Sequence, residues 1–295
     1  MKTILCTMST LCLVAFAGSA MAQSGSAIQA QATTAGAPLL ATQGNATQFG
    51  NSSGTQASNG GSELNAAWGT VSGGRLKLFT TGNLEGNFNK MWFFFDSAAG
   101  GVGALAGGYQ DGGFNEINNM TGLTFDSGFT PERGIRLEVG GGFLGVRGFT
   151  LDGAAGFDIH TNSGFGALPL ANVAGAAGVN FGWDNSNALG VDGSSAAGAL
   201  TADSGVAFDI DLATYFGNAG LGEVRVMAFI TSGDAGFASN QFLGSLPAGF
   251  GNLGNLAQTN LGNFDGNQYF TVVPAPGAFA LLGLGGLIAG RRRRA

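Results

Sequence analysis

Asp209 and Asp211 flank Ile210 in the run Val206-Ala207-Phe208-Asp209-Ile210-Asp211-Leu212. Alternate side chains of a strand share a face, so both carboxylates point one way while Phe208 and Ile210 point the other. Such a pair could act as acid and base across a glycosidic bond if a third carboxylate opposed it. It could also offer oxygens to Ca2+, which takes about six to eight. The same alternation describes a solvated strand face. A second oxygen-rich stretch, Asp184-Asn185-Ser186-Asn187, follows Trp183 and lies shortly before Asp192. It is a candidate Ca2+ turn completed by carbonyls. It lacks the repeated-Asp order and distal Glu of an EF-hand, and Asp and Asn also build turns by bonding backbone two residues on.

Aromatic rings bind sugars by stacking on the apolar face of a pyranose. The tryptophans and tyrosines open to that role are Trp68, Trp92, Trp183, Tyr109, Tyr215 and Tyr269. Tyr109, within Gly-Gly-Tyr-Gln-Asp-Gly-Gly, and Trp183, beside the Asp-Asn turn, are the candidate ligand-binding residues. Trp92 sits in the most apolar run and reads as core. His160 is the single histidine. A histidine-based zinc site is thereby excluded, and a Ser-His-Asp triad would depend on His160 alone. No phosphate-binding loop of the G-x-x-x-x-G-K-[ST] type is present.

These residues need elements to position them. Glycine supplies 55 of 295 residues, but 24 phenylalanines argue for a packed core rather than disorder. Runs at 75–80, 134–139, 143–151, 179–183, 206–212, 223–231 and 268–272 carry strand patterning, with polar alternation clearest in the first three. Lys90-Met91-Trp92-Phe93-Phe94-Phe95-Asp96 is continuously apolar between its charged ends, which predicts a strand buried on both faces. Leu212–Phe216 reads as one helical turn. Eight or more short strands with glycine turns over residues 64–272 predict an all-β fold: one antiparallel β-sandwich of jelly-roll type. Residues 23–63, polar and almost uncharged, read as a flexible spacer, with an edge strand contributed by part of it as the alternative.

Both ends read as addresses. Residues 1–22 match a secretory signal peptide. Lys2 leads an apolar stretch, and Ala20-Met21-Ala22 forms a small-residue cleavage site that would expose Gln23. Cys6 and Cys12 both fall inside it, so the exported chain has no cysteine. The tail, 273–295, holds Val273-Pro274-Ala275-Pro276-Gly277, an uncharged run from Ala278 to Gly290, and Arg291, Arg292, Arg293 and Arg294. Thirteen apolar positions fall short of the ~20 needed to span a bilayer, and the arginines would stay cytoplasmic. A short helix at each end is the only helical expectation beyond the turn at 212–216. Of the 12 basic residues, five lie in these two ends, whereas all 18 acidic residues lie between Glu63 and Asp265. The exported middle therefore carries −11. A module binding nucleic acid or an anionic membrane through its own charge would show the opposite sign.

The tail resembles the PEP-CTERM sorting signal, with Ala where Glu is commonest. The resemblance implies processing by an exosortase-type membrane protease after signal peptidase has acted, in a Gram-negative bacterium that makes exopolysaccharide. The blocks 122–139, 182–193, 222–254 and 267–274 are similar to uncharacterised secreted bacterial sandwich domains. More distantly, the architecture is similar to carbohydrate-binding family 9 and DOMON-like domains. Together these readings point to an envelope or matrix protein without catalytic activity, with extracellular polysaccharide as its candidate ligand. A structural or adhesive component with Ca2+-stiffened turns and a carboxylate-pair glycoside hydrolase are the alternatives.

Overall fold

The computed structural model describes residues 28–49, 61–163, 168–172, 177–187, 196–244 and 246–274. Among these lie a helix α1 (Ile28–Thr34) and the strands β1 (Leu39–Thr42), β2 (Glu63–Ser72), β3 (Arg75–Asn83), β4 (Asn87–Asp96), β5 (Arg133–Gly140), β6 (Phe143–Thr150), β7 (Phe157–Ser163), β8 (Leu168–Asn172), β9 (Val179–Trp183), β10 (Gly205–Asp211), β11 (Val224–Thr231), β12 (Ala238–Leu243) and β13 (Phe270–Val272). One sheet runs β1-β2-β3-β10-β9-β8. The other runs β12-β11-β4-β5-β6-β7, and β13 shares with β12 the edge of β11 that β4 leaves free. All strand pairs are antiparallel, so the chain is the β-sandwich its alternating runs predict.

The two-sided burial expected of β4 is present. Met91, Phe93 and Phe95 face the opposite sheet, where they join Leu78, Phe181 and Phe208. Trp92 and Phe94 face the other way, yet both are fully buried. The long connection 97–132 and the segment 246–267 fold over that outer face and bring Ile117, Met120, Phe125 and Leu256 onto the rings. Gly134 makes this second core possible, because a Cβ there would stand 2.2 Å from the Phe149 ring that crosses the strand. The helical turn Leu212–Phe216 also forms, capped by Asp211 at its start and closed by left-handed Gly217.

Two boundaries differ from expectation. The spacer of 23–63 is largely part of the fold. α1 sets Ile28 and Ala32 against Trp68, Phe79 and Ala207, and β1 pairs with β2. Residues 43–49 form a strap fastened by side-chain amides. Gln43 donates to Gln241 and to the Leu64 carbonyl, and Asn45 donates to the Pro247 carbonyl at 3.1 Å. Amide-rich composition resembles a solvated linker, but here the amides replace a strand ladder in satisfying backbone groups. At the other boundary, Val273 and Pro274, expected to open the tail, remain on the sandwich. The Val71 N–H donates to the Val273 carbonyl (3.1 Å), and Pro274 bridges Val71. Ala20, Ala22 and Gln23 at the signal cleavage site, and Pro276, Gly277 and Arg291–Arg294 of the sorting motif, lie outside the described residues. Among the described residues no helix is long and apolar enough to cross a membrane.

Candidate functional site

The residues singled out for chemistry are mostly engaged in building the fold. Asp209 and Asp211 do share a face at the end of β10, but an arginine faces them. Arg75 Nε lies 2.6 Å from Asp209 Oδ1, and its Nη1 lies 3.5 Å from Asp211 Oδ2. Asp211 also accepts from the Thr214 N–H, which holds its carboxyl below the usual range. The pair is an ion-pair and helix-cap device. Among the described residues no three acidic or histidine side chains gather as a metal site would need.

The Asp-Asn turn points inward. Asp184 accepts from the Ser186 N–H in a local turn. Asn185 is buried and pairs with both backbone groups of Leu84, at 2.8 Å each. Asn187 is buried and makes five bonds. It donates to Gly82 O, Asn83 Oδ1 and Ser204 O, and accepts from the N–H groups of Asp203 and Ser204. These oxygens are spent on β3, β10 and their connections, so the expected Ca2+ turn is a structural one; Asp192 lies outside the described residues. Asn187→Ala is expected to cost about 2–3 kcal/mol in chemical denaturation, because it strands buried donors and acceptors. Its midpoint should be indifferent to Ca2+ or a chelator.

Neither candidate sugar ring is available. Trp183 is 1% exposed within the inter-sheet core. Tyr109 is 6% exposed, packed in the second core, with its hydroxyl accepting from the Ala106 N–H. His160 lies 5.9 Å from the Phe181 ring, and burial lowers its pKa, favouring the neutral imidazole.

A different set of rings is presented to solvent. Phe114, five residues beyond Tyr109 in the same glycine-rich loop, is 92% exposed. Its loop is tightly tied. The carboxylate of Asp111, itself fully buried, accepts from the N–H groups of Gly113, Asn115 and Ile117. Asn115 sits at φ 61° and returns a bond to the Asp111 N–H. Beneath the loop lies a charged layer on the outer face of β4–β6. Glu138 Oε2 is 2.9 Å from Lys90 Nζ and 3.0 Å from Arg136 Nη1, while its Oε1 is 2.8 Å from Arg147 Nη1. Glu116, in the turn Glu116–Met120, adds a contact of 3.1 Å to Lys90. Gly113 rests directly on Arg136, where any Cβ would stand 1.7 Å from Nη2.

Two further rings lie flat on the same face. Phe88 occupies an irregularity in the β4–β5 register at φ 68°, a left-handed conformation costly for a residue with a Cβ. The bend turns its ring across Gly140, where a Cβ would be 2.6 Å away, and leaves Phe88 45% exposed. Gly140 pairs with Phe143, whose ring crosses Gly145 in the same manner. Gly140, Gly145 and Glu138 share one face by strand alternation and register, so both rings lie beside the charged layer. Arg147 carries its guanidinium 5.9 Å from the Phe143 ring and pairs with Asp158, which is 62% exposed. The arrangement is an aromatic face backed by glycine and bordered by fixed polar groups.

Sequence reasoning passed over these phenylalanines because it looked for tryptophan and tyrosine. The usable signal was aromatic residues placed over glycines, Phe88 over Gly140 of the neighbouring strand and Phe143 over Gly145 two residues along its own strand. Compared with known proteins, the chain matches no family model, no curated protein and no solved structure.

Proposed function

We propose that this chain is an exported cell-envelope protein whose sandwich is a non-catalytic module for extracellular polysaccharide. The leader at 1–22 would send it to signal peptidase, and the tail from 273 to an exosortase-type membrane protease. One observation carries the glycan reading: Phe114 and Phe88, with the half-buried Phe143 beside them, are held toward solvent by supports that oppose their burial. A phenyl ring left in water forgoes roughly 2 kcal/mol of burial, and Phe88 adds backbone strain. Features that cost stability and are over-determined by their surroundings point to ligand contact.

Charge narrows the ligand. Lys90 and Arg136 are nearly inaccessible, and Arg147 is committed to Glu138 and Asp158. Among the described residues of this face no bare cation greets a polyanion, while Asp158 is open to accept from hydroxyls. The ligand class is therefore an uncharged glycan whose C–H faces stack on the rings. The engagement of Asp209 and Asp211 by Arg75 and of Asp211 by the Thr214 N–H supports a binding rather than a hydrolytic role.

The test is retention of the processed protein on neutral and uronic-acid polysaccharides. Phe114→Ala and Phe88→Ala are each expected to weaken binding to a neutral polymer about tenfold, as removal of a central aromatic contact does. Circular dichroism should stay unchanged. Retention on no polysaccharide, or equal retention by the triple Ala variant at 88, 114 and 143, would refute the assignment. Preference for the uronate polymer would refute the ligand class.

A further inference from the structure

Among the described residues, five large apolar side chains are conspicuously exposed: Leu39, Phe88, Phe114, Phe237 and Val273. Phe88 and Phe114 belong to the aromatic face, and Phe237 stacks on Phe49 of the strap at 6.0 Å. Leu39 and Val273 remain, and both lie against β2, Val273 where the chain leaves the fold. Leu39 pairs with Trp68 of β2, and the Val273 carbonyl is held by Val71, three residues along that strand. Val272 and Leu40 meet over Gly69 between them, where a Cβ would touch both side chains.

The distance to the apolar run is short. Pro274 is still bridged to β2, and the uncharged run begins at Ala278. At ~3.5 Å per residue the intervening chain reaches at most about 14 Å. We infer that, while the tail is in the inner membrane, the end of the sandwich bearing Leu39 and Val273 rests against the bilayer surface. The phenylalanine face is then directed away from it.

This orientation rests on the reading of the tail as membrane-seeking, and the topology supplies its second half. Phe88 opens β4, whereas the exit strand β13 pairs with β11 at Val226, opposite Phe95 of β4. Seven residues of strand separate the two ends, about 23 Å at ~3.3 Å per residue. A side chain at Leu39 or Val273 can sit at headgroup depth, where apolar groups gain burial, without bringing the aromatic face near lipid. The glycan-binding end thus stays open before the tail is processed.

The absence of cysteine outside the leader makes a clean test. The full chain without residues 1–22 would be prepared as Leu39→Cys, Val273→Cys and Phe114→Cys, each labelled with a polarity-sensitive fluorophore. All three sites are exposed, so the labels should not disturb packing. The proteins would be reconstituted with vesicles of phosphatidylethanolamine and phosphatidylglycerol containing a headgroup-depth quencher lipid. Labels at 39 and 273 are expected to be quenched several-fold more than the label at 114. A chain that fails to float with the vesicles overturns the tail reading, and the orientation with it. A chain that floats but shows equal quenching at all three sites overturns the orientation alone.

Discussion

Glu138→Ala is expected to lower the unfolding free energy by about 3–5 kcal/mol, the cost of leaving buried charges without their partner. Among the described residues Glu138 is the one carboxylate that contacts Lys90, Arg136 and Arg147 together. Lys90 and Arg136 have side chains only 2% and 1% exposed, so water cannot take over the lost contacts without opening the loop above them. Glu116 and Asp111 would each keep a cation partly paired, which sets the upper bound. Glu138→Gln separates charge from volume. It fills the same space and keeps one acceptor, so its loss should be intermediate. If both variants unfold within about 1 kcal/mol of the parent in urea, the layer is hydrated and the ion pairs contribute little. The Ala variant should also loosen Phe114, because Gly113 rests on Arg136, and so weaken polysaccharide retention beyond its effect on stability.

Phe94→Ala should cost a similar amount, roughly 3–5 kcal/mol, by a different mechanism. The ring is fully buried and touches four others: Phe125 at 5.3 Å, Phe149 at 5.4 Å, Phe229 at 5.7 Å and Trp92 at 6.2 Å. Rings on a sheet cannot collapse inward as loop side chains can, so most of the cavity would persist. Phe125 belongs to the covering connection 97–132, and the loss should therefore appear there first. Amide exchange along 105–130 is expected to accelerate more than exchange in β3 or β10, which lie in the other sheet. Uniform acceleration across both sheets would show that the second core has no independent role in holding that connection.

How much of this was legible beforehand follows from what each signal depends on. The strand β10 was readable because apolar and acidic residues alternate along Phe208–Asp211, which is a local property of the chain. β4 was readable as doubly buried because no polar residue interrupts Met91–Phe95. β2 and β12 were not, since Glu63–Ser72 mixes small and polar residues and Ala238–Leu243 carries Ser, Asn and Gln that are nonetheless buried. Their polar groups are satisfied by partners far along the chain, such as Gln241 with Gln43. The strap at 43–49 was misread as spacer for the same reason.

The primary structure alone determined the sandwich class, the acidic balance and the confinement of both cysteines to residues 1–22. Each follows from composition or from a period of two, and neither requires knowing what lies opposite. Which aromatic faces water was decided only by the tertiary fold. Tyr109 and Phe114 share one glycine-rich loop, and nothing local separates them. The buried carboxylate of Asp111 and the arginine under Gly113 turn one ring into the core and hold the other out. Burial depends on what folds over a residue, and that partner lies on strands tens of positions away.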